Sequence, residues 1–430
     1  MNAIDHSNGA GQNVQPFLSL YEDRRHLLPD AGEIRDEAAL FLRHAGLPRR
    51  TLEAWKYTDL RPLTGLSLAA EPPVVTAETA QALLRRVDLD SAGLSEAARL
   101  VFVNGRFSAD LSRKPDGFVV EAGPGFGPLA QPARDALVAL NTMLTDDGVS
   151  IRVPAGVDAG RLLLIMLGSN AGTDAVTSHL RFSVLLEEGA RLSLLEIAHG
   201  DGLYVNNPVL EVAVRDRGHM THVLLQDEGS EAMHFSTVYA AVDAGASYDS
   251  FSLALGSRLA RHEVHARLQG SGGEVQINGA QLLSDGQHAD LTSVIAHDAP
   301  GCNSRQTVKN VLSGKSRGVF QGKIKVARIA QKTDGYQMNQ ALLLSDTAEI
   351  DSKPELEIYA DDVKCSHGAT AGALDEEQLF YLRSRGIPAH EARAILVRAF
   401  LADALALIDD ETVRGLLERA VDRSWNTRVA

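Results

Sequence analysis

Hydrophobic residues near the start of the chain recur at the spacing of amphipathic helices. The pattern predicts two helices between Phe17 and Gly46, and Gly46 followed by Pro48 is typical of a helix end. The preceding residues, 1–15, are polar and rich in Asn, Gly and Gln, which favours a disordered start.

The next part of the chain mixes helical and strand patterns. Residues 77–86 and 131–145 have helical periodicity, whereas 100–103 form a short apolar run that predicts a buried strand ending in a turn at Asn104-Gly105. Residues 16–150 are therefore predicted to form an N-terminal mixed α/β region.

From Gly148 to about Thr370 the chain consists of short strand-like runs separated by glycine-containing turns. These turns recur every 27 to 29 residues, at Gly160, Gly189, Gly218, Gly245, Gly273 and Gly301. A strand repeat of this length indicates stacked coils. An antiparallel sandwich, the alternative, typically has turns every 8–12 residues or so. The pattern therefore predicts a mainly β fold with a parallel β-solenoid core over 151–370, whose glycine turns stack along one direction.

Helical periodicity returns in residues 371–430, which predicts a C-terminal helical domain. Asp375 resembles the N-cap of a first helix, Pro388 begins a second, and a third runs from Glu411 to about Arg423. The second helix is predicted to turn one apolar stripe toward its own domain. That stripe comprises Ala392, Ile395, Leu396, Ala399, Phe400, Ala404 and Leu407.

Charge and cysteine content narrow the class of protein. There are 42 Lys and Arg against 56 Asp and Glu, so the net charge is −14, which argues against broad binding to nucleic acid or to an anionic membrane. No apolar run approaches the 18 or so residues of a membrane span, and the N-terminus lacks a signal-peptide pattern. Two cysteines exclude a disulfide framework and suit a reducing compartment. A cytoplasmic location is expected.

Three catalytic patterns fail on their context. Gly314-Lys315-Ser316 resembles the end of a phosphate-binding loop, but Lys309 occupies the position of the first glycine. The same segment, extended to Gly318, fits the G-x-S-x-G nucleophile elbow of serine hydrolases, but a strand is predicted to follow where that elbow needs a helix. His262 and His265 are three residues apart in strand-like sequence, so their side chains should point to opposite faces and not form a zinc site.

Cys365 and His367 are the most informative pair of potential ligands. If residues 363–367 are extended, both side chains lie on one face, about 7 Å apart along the strand. A thiolate and an imidazole so placed can bind iron, zinc or copper, but zinc sites and iron–sulfur clusters normally need four ligands. The pair is either a buried cysteine beside a surface histidine or half of a site that a second chain completes. Cys302 would contribute only if the fold brought it near.

Five segments resemble motifs of the SufB/SufD family, and the signature and length are most like its SufD branch. They are 54–60 (AWKYTDL), 101–105 (VFVNG), 316–324 (SRGVFQGKI), 365–370 (CSHGAT) and 379–387 (LFYLRSRGI). The resemblance implies an N-terminal helical region, a right-handed parallel β-helix and a C-terminal helical domain. It also implies a non-enzymatic scaffold subunit of the SufBCD complex for iron–sulfur cluster assembly.

The resemblance assigns roles to both of the last two segments. His367, with Cys365 beside it, would lie at an interface with SufB and help to hold a transient iron–sulfur cluster, with none tightly bound in the isolated chain. The C-terminal helices would dock SufC, an ABC-type ATPase, through Leu379, Phe380, Tyr381, Leu382, Arg385, Gly386 and Ile387. Cys302 falls in none of these motifs. The isolated chain could be a monomer or a homodimer. The remaining alternative, a β-solenoid enzyme acting on a polymer, needs paired carboxylates in a groove, and the sequence offers no such dyad.

Overall fold

The computed structural model describes residues 13–29 and 31–429. Most of the segment predicted to be disordered therefore lies outside the described residues. Within that segment, Val14 is fully buried and the first helix begins at Gln15.

Helices occupy the two ends of the chain, and strands fill the middle. The helices are α1 (Gln15–Arg24), α2 (Gly32–Ala45), α3 (Arg61–Thr64), α4 (Ala77–Arg86), α5 (Ala136–Leu144), α6 (Glu376–Ser384), α7 (Ala389–Leu405) and α8 (Glu411–Ser424). The strands are β1 (Ala98–Val103), β2 (Arg106–Phe107), β3 (Val119–Ala122), β4 (Gly148–Val153), β5 (Asp158–Ser169), β6 (Val176–Ser178), β7 (Arg181–Leu186), β8 (Arg191–Asp201), β9 (Tyr204–Asn206), β10 (Val209–Val214), β11 (His219–Glu228), β12 (Met233–Val242), β13 (Ser247–Ala254), β14 (Leu259–Leu268), β15 (Glu274–Leu283), β16 (His288–His297), β17 (Asn303–Leu312), β18 (Arg317–Val326), β19 (Asp334–Leu343), β20 (Glu349–Ile358) and β21 (Lys364–Gly372).

The strands form a β-solenoid of about eight turns, which confirms the predicted core. One sheet has ten strands in the order β2-β1-β5-β8-β11-β13-β15-β17-β19-β21. The other has eleven: nine run from β20 through β18, β16, β14, β12, β10, β7 and β4 to β3, and β6 and β9 lie off this path. From β10 onward, neighbouring strands are parallel and two elements apart in sequence, because each coil contributes one strand to each sheet. The inward side chains of both sheets form the apolar interior, which includes Leu194, Val264 and Ile295.

The corner between the two strands of a coil is a stacked turn, as the repeat predicts. In each such turn one residue has positive φ, and its amide donates to a carbonyl of the next coil; the Gly189 amide, for example, lies 2.9 Å from the Asp216 carbonyl oxygen. These residues are Gly156, Gly189, Arg217, Gly245, Gly272, Gly301 and Lys332. The ladder of hydrogen bonds explains why the coils keep a constant length.

Three of the six glycines predicted to mark this corner do not occupy its positive-φ position. Gly160 lies inside β5 at a bulge, and the turn residue of that coil is Gly156. Gly218 and Gly273 each follow the turn residue by one position. The repeat length is unaffected, because the shift is one residue in two coils and four in the first.

The N-terminal region contributes strands to the solenoid as well as helices that cover it. β1 is the predicted buried strand, and the predicted turn at Asn104-Gly105, with positive φ at both residues, joins it to β2 in a hairpin. β1 then pairs in parallel with β5, so the solenoid sheet extends into the region predicted to precede it. α1, α2 and α5 cover the outer face of the eleven-stranded sheet, where Phe17 and Leu140 pack with Phe235.

The C-terminal helices pack against the outer face of the ten-stranded sheet. Val397 and Leu401 of α7 and Leu416 of α8 share one apolar cluster with Val223 and Val311 of the strands. The stripe of α7 was predicted to face its own domain, and the helix also faces the sheet. The predicted stripe is right in part: Ala392 and Ala404 are buried, but Ile395 and Leu407 are exposed. Val397 and Leu401, which the prediction omitted, are buried instead. Among the described residues, no helix combines the length and the apolar character needed to cross a membrane.

Candidate functional site

The last coil of the solenoid is an open end. β20 and β21 are the terminal strands of the two sheets, and within residues 13–29 and 31–429 no further strand pairs with their outer edges. Neither strand contains a buried residue, whereas β18, the neighbour of β20, is mostly buried. The opposite end is built differently, because antiparallel strands cover it: β2 pairs with β1 in one sheet, and β3 pairs with β4 in the other. An uncovered parallel coil exposes both backbone hydrogen-bonding groups and interior side chains.

The two edge strands of this end differ in how well their sequences suit pairing with a strand of another chain. β20 carries Pro354 and an alternation of charges that includes Lys353 and Glu355, which are devices that discourage strand addition. β21 has the sequence KCSHGATAG, with one charge at its start and small residues after it. The edge of β21 is therefore the better surface for another strand.

Cys365 lies on β21 and points into the open end of the solenoid. Its side chain is half-buried among Ile324, Val326 and Leu356. This partial burial raises the pKa of the Cys365 thiol, and a hydrogen bond from the Gly335 backbone acts in the opposite direction. The resting group is a neutral thiol, so binding a metal would release its proton.

His367 is two residues further along β21, on the same face, and is exposed. Its partner in register on β19 is Gln337, which is fully buried. Neither amide atom of Gln337 has a hydrogen-bond partner among the described residues. Buried polar groups are nearly always satisfied, so an additional polar group or water is expected at this end. Sequence reasoning missed Gln337, because nothing local to that residue reveals that it aligns with His367.

Cys302 is not part of this end. It is buried at the corner before β17, two strands away from β21, which corresponds to about 10 Å across the sheet. Its Sγ lies 3.3 Å from the Gly270 carbonyl oxygen, and burial raises the pKa of its thiol. The fold therefore joins Cys365 with His367 and leaves Cys302 as a packed side chain.

A second distinctive surface is the short helix α6. Asp375 caps it by accepting from the amides of Glu377 and Gln378, as predicted. The side chains of Phe380 and Tyr381 are 73% and 56% exposed, and the Arg385 guanidinium lies 5.3 Å from the Tyr381 ring centre. Leu379 lines an adjacent groove of about 720 Å³ together with Leu374 and Trp425.

The other apolar residues of the 379–387 segment and its glycine have structural roles. Leu382 and Ile387 are half-buried, which suits packing. Gly386 has a φ of 87° just after the helix, where the left-handed conformation favours glycine. Phe380 and Tyr381 are therefore the large apolar residues of this segment whose presence is not explained by packing within the described part of the chain.

The segments with the dismissed catalytic patterns have structural roles. Gly314 and Ser316 belong to a turn that leads into β18, so the helix of a phosphate-binding loop is absent there. His262 points inward to Ser236, whereas His265 points outward and stacks on Tyr239. The prediction of opposite faces is confirmed.

Family models match nearly the whole chain. A model described as "SUF system FeS cluster assembly, SufBD core domain" matches residues 168–400, and a model of the SufBD N-terminal region matches 12–165. The chain belongs to the SufB/SufD family. The core match contains the open end with Cys365 and His367, as well as α6.

Individual relatives agree with this assignment. The chain is 34% identical to the iron–sulfur cluster assembly protein SufD of Escherichia coli over 87% of its own length and 88% of that protein. It is 29% identical to a SufBD family protein of Synechocystis, over 90% and 89% of the two chains. A chloroplastic protein of Arabidopsis thaliana, ABCI7, is 33% identical over 65% of this chain and 61% of the relative. Among the branches of the family, the chain is most like SufD.

Two of the family motifs meet in the structure, on the outer face of the eleven-stranded sheet. The Trp55 ring lies over the Arg261 guanidinium at 4.0 Å, and the Gln321 side chain donates to the Ala54 carbonyl oxygen at 3.2 Å. Arg261 is itself buried and paired with Glu263 and Asp290. These motifs therefore fix the N-terminal segment onto the outer face of the eleven-stranded sheet.

Proposed function

We propose that the chain is a scaffold subunit for iron–sulfur cluster assembly and that the open end of its solenoid pairs with a second chain. One observation carries this proposal: the unpaired edge strand β21 holds Cys365 and His367 on a single face. A chain that supplies two ligands beside an unpaired edge suits a site shared between two subunits.

The partner at this end is the paralogue SufB, and the group held there is an iron–sulfur cluster in transit. The printed descriptions of the family and of the E. coli relative refer to iron–sulfur cluster assembly, which makes a nascent cluster the natural cargo. His367 supplies an imidazole, Cys365 can supply a thiolate, and the partner would supply the remaining ligands. Because two ligands hold a cluster poorly, we expect none tightly bound in the isolated chain.

The α6 surface is proposed to dock the ATPase SufC. Exposed Phe380 and Tyr381 offer the aromatic anchors that concentrate binding energy in interfaces. The neighbouring groove at Leu379 can receive an apolar side chain of the partner. The remaining predicted residues border this surface or shape its backbone; they are Leu382, Arg385, Gly386 and Ile387.

In this account the chain acts by holding partners and cargo, without a catalytic cycle of its own. Membership of the SufB/SufD family removes the support for a polymer-degrading solenoid enzyme. The same open edge allows the isolated chain to pair with a second copy, which would explain a homodimer when SufB is absent.

Co-purification tests the proposal directly. The tagged chain, co-expressed with its SufB and SufC homologues, should retain both after washing in moderate salt. A variant with Pro in place of Ala369 removes one edge amide of β21 and should lose SufB while keeping SufC, because the two surfaces are separate. Pro in place of Val74, a 92% exposed residue outside the solenoid strands, is the control and should retain both partners. Retention of SufB by the Ala369→Pro chain would contradict pairing through β21.

A further inference from the structure

A cluster of three potential metal ligands lies on the outer face of the eleven-stranded sheet, away from the open end. Its members are Asp135, Glu263 and His265, and one ligand atom from each lies within 4.8 Å of the others. Glu263 and His265 are two residues apart on β14 and so share its outer face. Asp135 is the N-cap of α5, in the N-terminal region that covers this sheet. Glu263 is buried, and the other two are half-buried, so an ion can reach them from solvent.

Each carboxylate has one oxygen held by the protein and one turned toward the cluster. Asp135 Oδ1 accepts from the amides of Leu137 and Val138 at 2.8 and 3.2 Å, while Oδ2 has a long contact of 3.5 Å with the Tyr239 hydroxyl. The two amides therefore fix the carboxylate through Oδ1, and Oδ2 keeps only the long contact with Tyr239.

The two carboxylate oxygens of Glu263 also have different partners. Its Oε2 accepts from Arg261 Nε and Nη2 at 3.0 and 2.8 Å, while Oε1 lies 2.9 Å from His265 Nε2. The His265 ring is oriented by stacking on Tyr239, with the ring centres 4.6 Å apart. Outer partners that orient ligand side chains in this manner are a regular feature of metal sites.

The spacing of Glu263 and His265 and the charge around the cluster both suit a divalent ion. Ligands about 2.1 Å from a common ion and at roughly right angles are about 3 Å apart, which is the separation of Glu263 Oε1 and His265 Nε2. The single positive charge of Arg261 is shared between Glu263 and Asp290, and Asp135 adds a third carboxylate beside Glu263. The nearby Arg181 is engaged with Glu211 at 2.6 Å.

We propose that Asp135, Glu263 and His265 bind a divalent first-row transition-metal ion, with water completing its coordination. Two carboxylate oxygens and one imidazole nitrogen suit Fe²⁺, Mn²⁺, Co²⁺ or Zn²⁺. On binding, the proton shared between His265 Nε2 and Glu263 Oε1 leaves to solvent, and the metal takes its place. The ion links α5 to β14, which joins the N-terminal region to the solenoid. This site is independent of the shared cluster site at the open end.

The test uses the full-length chain, freed of metal by a chelator and titrated with Co²⁺ alone. Calorimetry should show one ion per chain at this site, and the same titration should be repeated with Zn²⁺. Asp135→Asn preserves the helix cap, and His265→Gln preserves much of the side-chain volume; each should weaken binding at least about tenfold. His390→Gln, at an exposed histidine on α7, is the control and should bind as the unchanged chain does.

Two further arms make the result decisive. His367→Ala should leave the affinity unchanged, since the open end is a separate site. Bound metal should also raise the melting temperature of the unchanged chain and should not raise that of Asp135→Asn. The proposal is overturned if the unchanged chain binds no ion at millimolar Co²⁺. It is also overturned if Asp135→Asn and His265→Gln bind as tightly as the unchanged chain.

Discussion

Replacing His367 with alanine should lower the iron and sulfide bound by the assembled three-subunit complex at least about tenfold. Loss of groups that merely orient metal ligands typically costs 10–100-fold in affinity, so loss of a ligand should cost no less. The fold should not change, because His367 is exposed and lies on a strand at the end of the solenoid. The measurement is anaerobic reconstitution of the purified complex, followed by assay of bound iron and acid-labile sulfide.

Substitutions at the two residues before His367 on β21 show whether the loss is specific to His367 and whether the Cys365 thiol is also a ligand. Ser366→Ala changes the adjacent residue on the opposite face of β21 and should reconstitute normally. Cys365→Ser should match His367→Ala if the thiol is a second ligand, and should have a smaller effect if the thiol only packs against Ile324 and Leu356. If His367→Ala assembles and reconstitutes like the unchanged complex, His367 is structural and the shared site is wrong.

Replacing Phe380 and Tyr381 together with aspartate should abolish capture of SufC while SufB remains bound. Aromatic anchors in interfaces commonly contribute about 2 kcal/mol or more, so the loss should be at least about 30-fold in affinity. Both side chains are largely exposed, and the chain should therefore stay folded. Leu382 is a poorer choice, because it is half-buried and its replacement would also disturb the packing of α6. Binding is measured by pull-down and by calorimetry.

The control for this pair is Val74→Asp, which places the same charge on a 92% exposed apolar residue outside the C-terminal helices. It should bind SufC like the unchanged chain. Equal capture of SufC by the Phe380 and Tyr381 double variant would move the docking surface away from α6. Circular dichroism and the melting temperature of each variant separate loss of binding from loss of fold.

The solenoid could be predicted from the sequence because its signal is periodic and long. Each coil repeats the same corner, and that corner recurs every 27 to 29 residues. The exact turn residue was harder to assign, since Arg217 and Lys332 adopt positive φ without being glycine, while Gly160 is used in a bulge. A glycine is the favoured occupant of such a corner, and it is not a required one.

The orientation of α7 could not be predicted because its sequence has little amphipathic contrast. Apolar residues appear on nearly all sides of AHEARAILVRAFLADAL, so several stripes fit the helical period. The choice is made by the ten-stranded sheet, which offers Val223 and Val311 as an apolar surface. Local periodicity contains no information about that surface.

In the candidate sites, too, sequence predicts which residues share a strand face but not which residues are brought together by packing. Cys365 and His367 are two residues apart on one strand, so their shared face follows from sequence alone. The alignment of Gln337 with His367 requires the register between β19 and β21. The meeting of Asp135 with Glu263 requires the packing of α5 on the sheet, across 128 positions of the chain.

Hydrogen–deuterium exchange of the chain with and without SufB tests the central claim most directly. If the open end pairs with SufB, the backbone amides of β21, Lys364–Gly372, should exchange markedly more slowly in the presence of SufB, since an edge strand gains hydrogen bonds when another strand is added. Exchange in β2 and β3, at the opposite end, should not change. Slower exchange confined to other surfaces, with β21 unchanged at saturating SufB, would contradict the account.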